Sequence, residues 1–237
     1  MKSTLKLSAL TCASLLVLAQ QSQAELSSTV NLTTDYTFNG VSQTKSDPAL
    51  QASLDYGFDN GWYIGSWASN VDFVGDDVNL ELDFYAGKFL QLNDKVSLDT
   101  GIAYYTYHGD KDVSRNYDYP EAYTKLGYSS NLGESEVNGW YSWDYFGLGG
   151  SHYIMMLAHT FEFAEGHNVR FSVDRSTSTN LDNWSWGNNK KSYNHYRVEY
   201  MTSLNGFDFN IAAENTTIDT KDTDERIVFS VARTFNL

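Results

Sequence analysis

From residue 26 onward the sequence alternates with a period of two, and this constrains the fold more than any other feature. In 26–38 the even positions read Leu26, Ser28, Val30, Leu32, Thr34, Tyr36 and Phe38, and the odd positions read Ser27, Thr29, Asn31, Thr33, Asp35 and Thr37. One face is largely apolar and the other wholly polar. Successive side chains of an extended strand point to opposite sides, so this is the pattern of a strand between two different media. A helix would gather its apolar residues three and four apart, and these are not so spaced.

The pattern recurs. Leu50, Ala52, Leu54, Tyr56 and Phe58 alternate with Gln51, Ser53 and Asp55; Val78, Leu80, Leu82 and Phe84 alternate with Asn79, Glu81, Asp83 and Tyr85. Leu98, Ile102 and Tyr104 alternate with Ser97, Asp99 and Gly101, and Val137, Tyr141, Trp143 and Tyr145 with Glu136, Asn138, Ser142 and Asp144. Stretches around 169–174, 195–200, 207–214 and 227–237 behave alike. Tyr63, Trp67, Val71 and Phe73 share one face of a weaker strand, and Ala122, Thr124, Leu126 and Tyr128 share a face of another. The total is about twelve strands of roughly 10 to 13 residues, the length a tilted membrane-crossing strand requires.

The connections fall into two kinds. Asp59-Asn60-Gly61, Leu92-Asn93-Asp94, Asn131-Leu132-Gly133, Glu165-Gly166 and Asn205-Gly206 are tight-turn signals. Between them lie mostly longer polar segments, at 39–48, 108–119, 176–191 and 217–224. Short turns on one side and longer loops on the other mark an outer-membrane barrel with periplasmic turns and extracellular loops. A soluble sandwich also alternates, but it would bury its apolar face centrally. Here aromatics gather toward strand ends, at Tyr36 and Phe38, Trp62, Phe73, 104–107 and 140–146, as interfacial girdles do. Lipid also forbids open sheet edges, so strand 26–38 is expected to pair with 227–237 and close the sheet. Arg233 falls in the lipid-facing phase of that last strand, where a mid-membrane charge costs about 2–4 kcal/mol, so it is expected near an interface or a bulge.

Residues 1–24 are set apart. Lys2 and Lys6 precede an apolar stretch, 7–19, and Ser22-Gln23-Ala24 is a small-x-small site, the pattern of a cleaved secretory signal. That segment holds Cys12, the one cysteine, and none of the 6 Trp, 17 Tyr and 13 Phe. Residues 25–237 are therefore expected to form one thiol-free barrel in the outer membrane of a Gram-negative bacterium, reached through the periplasm. Sixteen Lys and Arg against 30 Asp and Glu give a net charge of −14, which argues against nucleic acid as a partner. With one Cys and no clustered His, neither a disulfide scaffold, a zinc site nor another cofactor is expected. The expected partners are outer-membrane lipid and lipopolysaccharide, the barrel-assembly machinery and small polar solutes.

Three stretches carry a resemblance. They are Leu32-Thr33-Thr34-Asp35-Tyr36-Thr37-Phe38-Asn39-Gly40-Val41-Ser42-Gln43-Thr44 with Asp47-Pro48-Ala49, then 65–73, then Leu80-Glu81-Leu82-Asp83-Phe84-Tyr85-Ala86-Gly87. They resemble the TorF-type family of porin-like proteobacterial outer-membrane proteins. The similarity runs over residues 25–237 and is most specific in their first third. The residue after the Phe of the first motif is often Arg in that family and is Asn39 here. The resemblance implies an outer-membrane pore and supplies no catalytic residues.

The polar phase supplies the candidate pore lining: Asp35, Asp55, Asp72, Glu81, Asp83, Asp99, Glu121, Lys125, Glu136, Asp144, Arg170, Asp174, Arg197, Glu199, Asp208 and Glu214. Acidic rings favour cations. The expected function is passive diffusion of small polar solutes, with cations or neutral solutes preferred over anions. The alternative for these charges is a paired network filling the interior, since twelve strands lies between the roughly eight that side chains fill and the 16 to 18 of wide channels. Two other functions compete. A barrel hydrolase would use Ser142 or Asp144 with His152. A structural or adhesive barrel would present Trp184 and Trp186 in its loop, where the aromatic girdle is the simpler account. The acidic segments 110–118 and 219–225 read as solvated loops.

Overall fold

The structure is a computed structural model and describes residues 24–73, 76–109, 117–187, 189–218 and 223–237. The expected signal segment therefore lies outside the described residues apart from Ala24, as do 110–116 and 219–222 of the two acidic loops. The chain opens with β1 (Glu25–Thr33), followed by two very short strands, β2 (Thr37–Phe38) and β3 (Val41–Ser42). Next come β4 (Ala49–Gly57), β5 (Trp62–Asn70), β6 (Val78–Gln91), β7 (Val96–Gly109), β8 (Tyr119–Ser130) and β9 (Gly133–Ser142). A 3-10 turn (Tyr145–Gly147) precedes β10 (His152–Ala164), β11 (His167–Ser178), β12 (Ser192–Leu204), β13 (Phe207–Thr216) and β14 (Arg226–Asn236).

Among the described residues, twelve antiparallel strands close into one barrel, with each neighbour next in sequence from β4 to β14 and β1 between β14 and β4. At the closing seam Val30 stands opposite Arg233 and Leu32 opposite Val231. The expected fold class is thus the observed one. Both ends of the sheet meet because an even number of antiparallel strands brings the last one back beside the first. The connections 58–61, 92–95, 131–132, 165–166 and 205–206 lie at the end that carries the termini. Asn205 and Gly206 have φ of 53° and 79°, so this turn has left-handed conformation at both central positions, the two-residue form that matches strand twist.

The wall is apolar outside and polar inside. Leu50, Ile102 and Leu157 are each more than half exposed on the outer face, whereas Glu81, Asp99, Glu121 and Glu199 are almost fully buried. That is the reverse of a water-soluble sheet, in which charges are seldom buried. The cationic side chains of the outer face stay near the strand ends, Arg175 at the loop end and Lys88 and Arg233 at the turn end. Lys88 lies over Trp62 at 5.1 Å, and Arg233 lies over Phe207 and Phe235 at 5.0 and 5.2 Å. Arg233 thus sits at a strand end, where a long side chain can reach the interface.

The structure departs from the alternation in three places. β1 stops at Thr33 rather than running on to Phe38. Thr34 still bonds the wall, donating from its backbone to Phe229 O at 2.9 Å, but Asp35 accepts from Ser42 Oγ at 2.6 Å and Thr44 Oγ1 at 3.0 Å, and these bonds turn the chain inward. Second, Tyr63 and Trp67 face the interior, and Trp62 and Ile64 take the outer face. Third, many loop-end aromatics expected in a girdle are buried together instead: Tyr36, Phe73, Tyr105, Tyr107, Tyr145 and Phe146.

Candidate functional site

The inner wall is built from alternate residues of all twelve barrel strands, so charged groups far apart in sequence meet across strand boundaries. Arg170 on β11 reaches Glu136 of β9 and Glu199 of β12, each at 3.2 Å. Arg197 contacts Glu199 at 2.9 Å and also pairs with Glu214 of β13. His195 stands between two carboxylates, with Nδ1 2.7 Å from Asp174 and Nε2 3.3 Å from Glu214. The result is one chain of alternating charge, Glu136–Arg170–Glu199–Arg197–Glu214–His195–Asp174. A guanidinium suits this role because its planar fork can serve two carboxylates at once. Asn138 and Asn210 donate further bonds to Glu136 and Glu199, at 2.9 and 3.1 Å.

The opposite wall is made of tyrosines and acids. Tyr63 Oη donates to Asp99 at 2.5 Å and also meets Tyr123 Oη at 2.5 Å, and Tyr85 donates to Asp55. The Lys125 ammonium lies 5.2 Å from the centre of the Tyr123 ring. Glycines make space for these rings. A Cβ on Gly65 would lie 2.3 Å from Tyr85, one on Gly87 2.3 Å from Tyr63, and one on Gly101 2.4 Å from the Tyr123 hydroxyl. Each tyrosine therefore lies close over a strand glycine, a close approach that any side chain would block.

Toward the loop end, Tyr107 donates to Glu81 and Tyr105 to Glu121, both at 2.9 Å. Above these acids lies an aromatic cluster. Tyr105 and Tyr119 stack at 4.6 Å, Phe146 meets Tyr119 at 4.9 Å, and Tyr145 stacks on His152 at 4.1 Å. Trp186 packs on Tyr193 at 4.5 Å and Trp184 on Trp186 at 5.4 Å. The two tryptophans thus belong to the interior, neither to a lipid girdle nor to an exposed loop surface.

The β2–β3 hairpin enters this interior. Its turn is Asn39-Gly40, with φ of 48° and 79°. Tyr193 Oη donates to Asn39 O at 3.0 Å, and Asn39 Nδ2 donates to Ser176 Oγ at 3.4 Å. At the hairpin's base Arg226 pairs with Asp35 at 2.6 Å, and Tyr36 packs edge-on against Trp67 at 5.3 Å.

The sequence candidates are distributed as follows. Asp55, Glu81, Asp83, Asp99, Glu121, Lys125, Glu136, Arg170, Asp174, Arg197, Glu199, Asp208 and Glu214 lie on the inner phase of their strands. Asp35 is also interior, but on the inturned segment rather than on the wall. Asp72 and Asp144 are not on the wall, because β5 ends at Asn70 and β9 at Ser142. Asp72 is half exposed and pairs with Lys45 at 2.6 Å, while Asp144 accepts from the Gly149 N–H within its loop. Ser142 and His152 are opposite each other between β9 and β10, but Ser142 donates to Glu121 at 2.8 Å and the His152 ring stacks on Tyr145. Sequence reading did not mark His195, Tyr63 or the hairpin as parts of the site; Arg226 it offered as a lumen-facing base, and the structure pairs it with Asp35. The period-two pattern places His195 on the inner face with Arg197 and Glu199, and Asn39-Gly40 between short β-prone pairs is itself a hairpin signal.

Comparison with solved structures returns barrels of the same build. The NanC porin superposes with a TM-score of 0.58 at 11% identity, covering 90% of this chain and 99% of that one. The KdgM porin gives 0.56 at 9% identity, with 88% and 99% covered. The CymD monoaromatic hydrocarbon channel gives 0.52 at 9% identity, with 92% and 89% covered. At such identities the likeness is one of fold. No curated protein matches the sequence significantly. A family model does match, over residues 18–235, and it covers the entire barrel wall but for the last residue of β14. By that match the chain belongs to the Gcw_chp family, bacterial proteins of unknown function.

Proposed function

We propose that this chain is an outer-membrane channel of porin type whose narrow, charge-lined lumen passes small polar solutes and prefers cations to anions. One observation carries the reading: a closed sheet, apolar outside, encloses a connected polar network in which carboxylates outnumber cationic groups. The apolar exterior requires lipid around it, and closure removes the unpaired edges that lipid does not tolerate. The acids Glu81, Asp83, Asp99 and Glu121 share the inner face of β6, β7 and β8 with a single base of those strands, Lys125, so the field along that wall is negative. The fold of NanC, KdgM and CymD supports a channel, and the three motif stretches in the first third support kinship with TorF-type proteins. KdgM has also been solved with oligogalacturonate, a polyanion, for which an acid-rich wall would be unfavourable.

In this reading residues 1–24 direct export and are removed, the barrel-assembly machinery inserts the rest, and lipid with lipopolysaccharide surrounds the wall. The loop end then faces outward and the turn end faces the periplasm. The test is the reversal potential of the refolded protein in a planar bilayer under a tenfold KCl gradient. The expected sign is that of potassium preference. A chloride-signed potential, or silence at every voltage, overturns the reading.

A further inference from the structure

We propose that the β2–β3 hairpin is a movable plug. Seated, it holds the lumen at a low-conductance state, and unseated it opens a higher one. The proposal rests on reading the lumen as a conducting path.

The hairpin leaves the wall at β1 but does not rest there. Its tip lies against β11, β12 and β13, and β11 stands four places from β1 around the ring. The hairpin therefore crosses the interior on a chord. The seat is close-fitting: a Cβ on Gly40 would lie 2.4 Å from Thr216 Cγ2 and 2.6 Å from the His195 ring. Thr37 is hydrogen-bonded to Glu214, so the plug also joins the charged chain of the wall.

What holds it is separable from what holds the barrel. The hairpin's ladder is only Thr37 with Ser42 and Phe38 with Val41, and its two strands lie outside the closed sheet. A ribbon this short is not stable by itself. Its position depends on side-chain anchors at the tip, from Tyr193 and Ser176, at the base, from Arg226, and on Phe38 and Val41 packing against the interior aromatic cluster. None of these belongs to the main-chain pairing that closes the wall. Segments tied by few such contacts open at lower free energy than the ladders around them.

Two variants test the plug. Tyr36 O and Gln43 N already face each other at 2.7 Å, so 37–42 can be replaced by a two-residue Asn-Gly turn. In planar bilayers the native chain is expected to show two unitary levels, and the shortened chain only the higher, at least threefold above the lower. If the shortened chain conducts as the native one does, the plug is refuted and the channel reading stands. If the native chain is silent and the shortened chain conducts, the plug stands while the native reading fails. If both are silent, both fail. The second variant leaves the hairpin's length intact and so guards against misfolding. It combines Tyr193→Phe with Ser176→Ala, which removes both hydrogen bonds to the tip and leaves the main-chain pairing of the wall untouched. This variant is expected to occupy the upper level at least threefold more of the time than the native chain. Unchanged occupancy of the two levels refutes the plug.

Discussion

Arg170 shows how much a single inward side chain decides. Its guanidinium lies between Glu136 and Glu199, all three nearly excluded from solvent. Replacing it with Met leaves Glu136 buried without its cation and Glu199 with Arg197 alone. Breaking a buried ion pair in this way costs about 3–5 kcal/mol, so Arg170→Met is expected to lower the urea midpoint of the refolded barrel substantially. Arg233→Ala removes an exposed charge at a strand end and is expected to shift the same midpoint by less than about 0.5 kcal/mol. If the two variants unfold alike, the ion-pair account of the interior is wrong. At this scale the sequence was informative about direction only. Alternation placed Glu136, Arg170 and Glu199 on one side of their strands. It could not show that they meet, because the partners are separated by whole hairpins. The same holds for Gly87, whose purpose becomes visible only with Tyr63 lying over it.

Among the elements, turns separate two kinds of glycine. Gly206 has φ of 79° and nothing within 4 Å of an added Cβ. Gly206→Ala should therefore cost only the left-handed conformation, about 1 kcal/mol. Gly133 has φ of 122°, and its Cβ would lie 2.1 Å from Thr160 O in the neighbouring strand. Gly133→Ala is expected to cost distinctly more and to disturb the start of the β9–β10 pairing, as urea titration and amide exchange would show. Equal midpoints for the two would remove the steric argument. The tight turns were legible because few residues adopt positive φ cheaply, and Asn-Gly is the strongest such signal. The end of β1 was not legible. Its alternation runs on unbroken to Phe38, and what ends the strand is Asp35 bonding Ser42, Thr44 and Arg226, the last of them on the final strand. A local pattern cannot report a partner that distant.

The whole molecule is an inside-out sheet, and its two faces should respond to charge in opposite ways. Leu54 lies on the outer face midway along β4, so Leu54→Lys should cost about 2–4 kcal/mol if lipid surrounds it, and much less in a soluble fold. Heat-modified gel mobility after refolding into vesicles reads that difference. Asp83→Asn changes the inner wall and should instead weaken potassium preference in the reversal potential while leaving assembly intact. Closure, strand count and the two kinds of connection could be read from sequence because an apolar outside and a polar inside impose period two on every strand. The loop-end aromatics could not, since a ring near a strand end suits either an interface or a packed interior, and only assembly decides between them.

The contact between Asp35 and Arg226 has a consequence for biogenesis. The opening segment finds its last anchor on the final strand to be made, so it cannot settle while that strand is missing. Occupying the interior and completing the ring thus become one late event. A nascent or truncated chain, however many of its hairpins have inserted, would still present a hollow, unfinished trough.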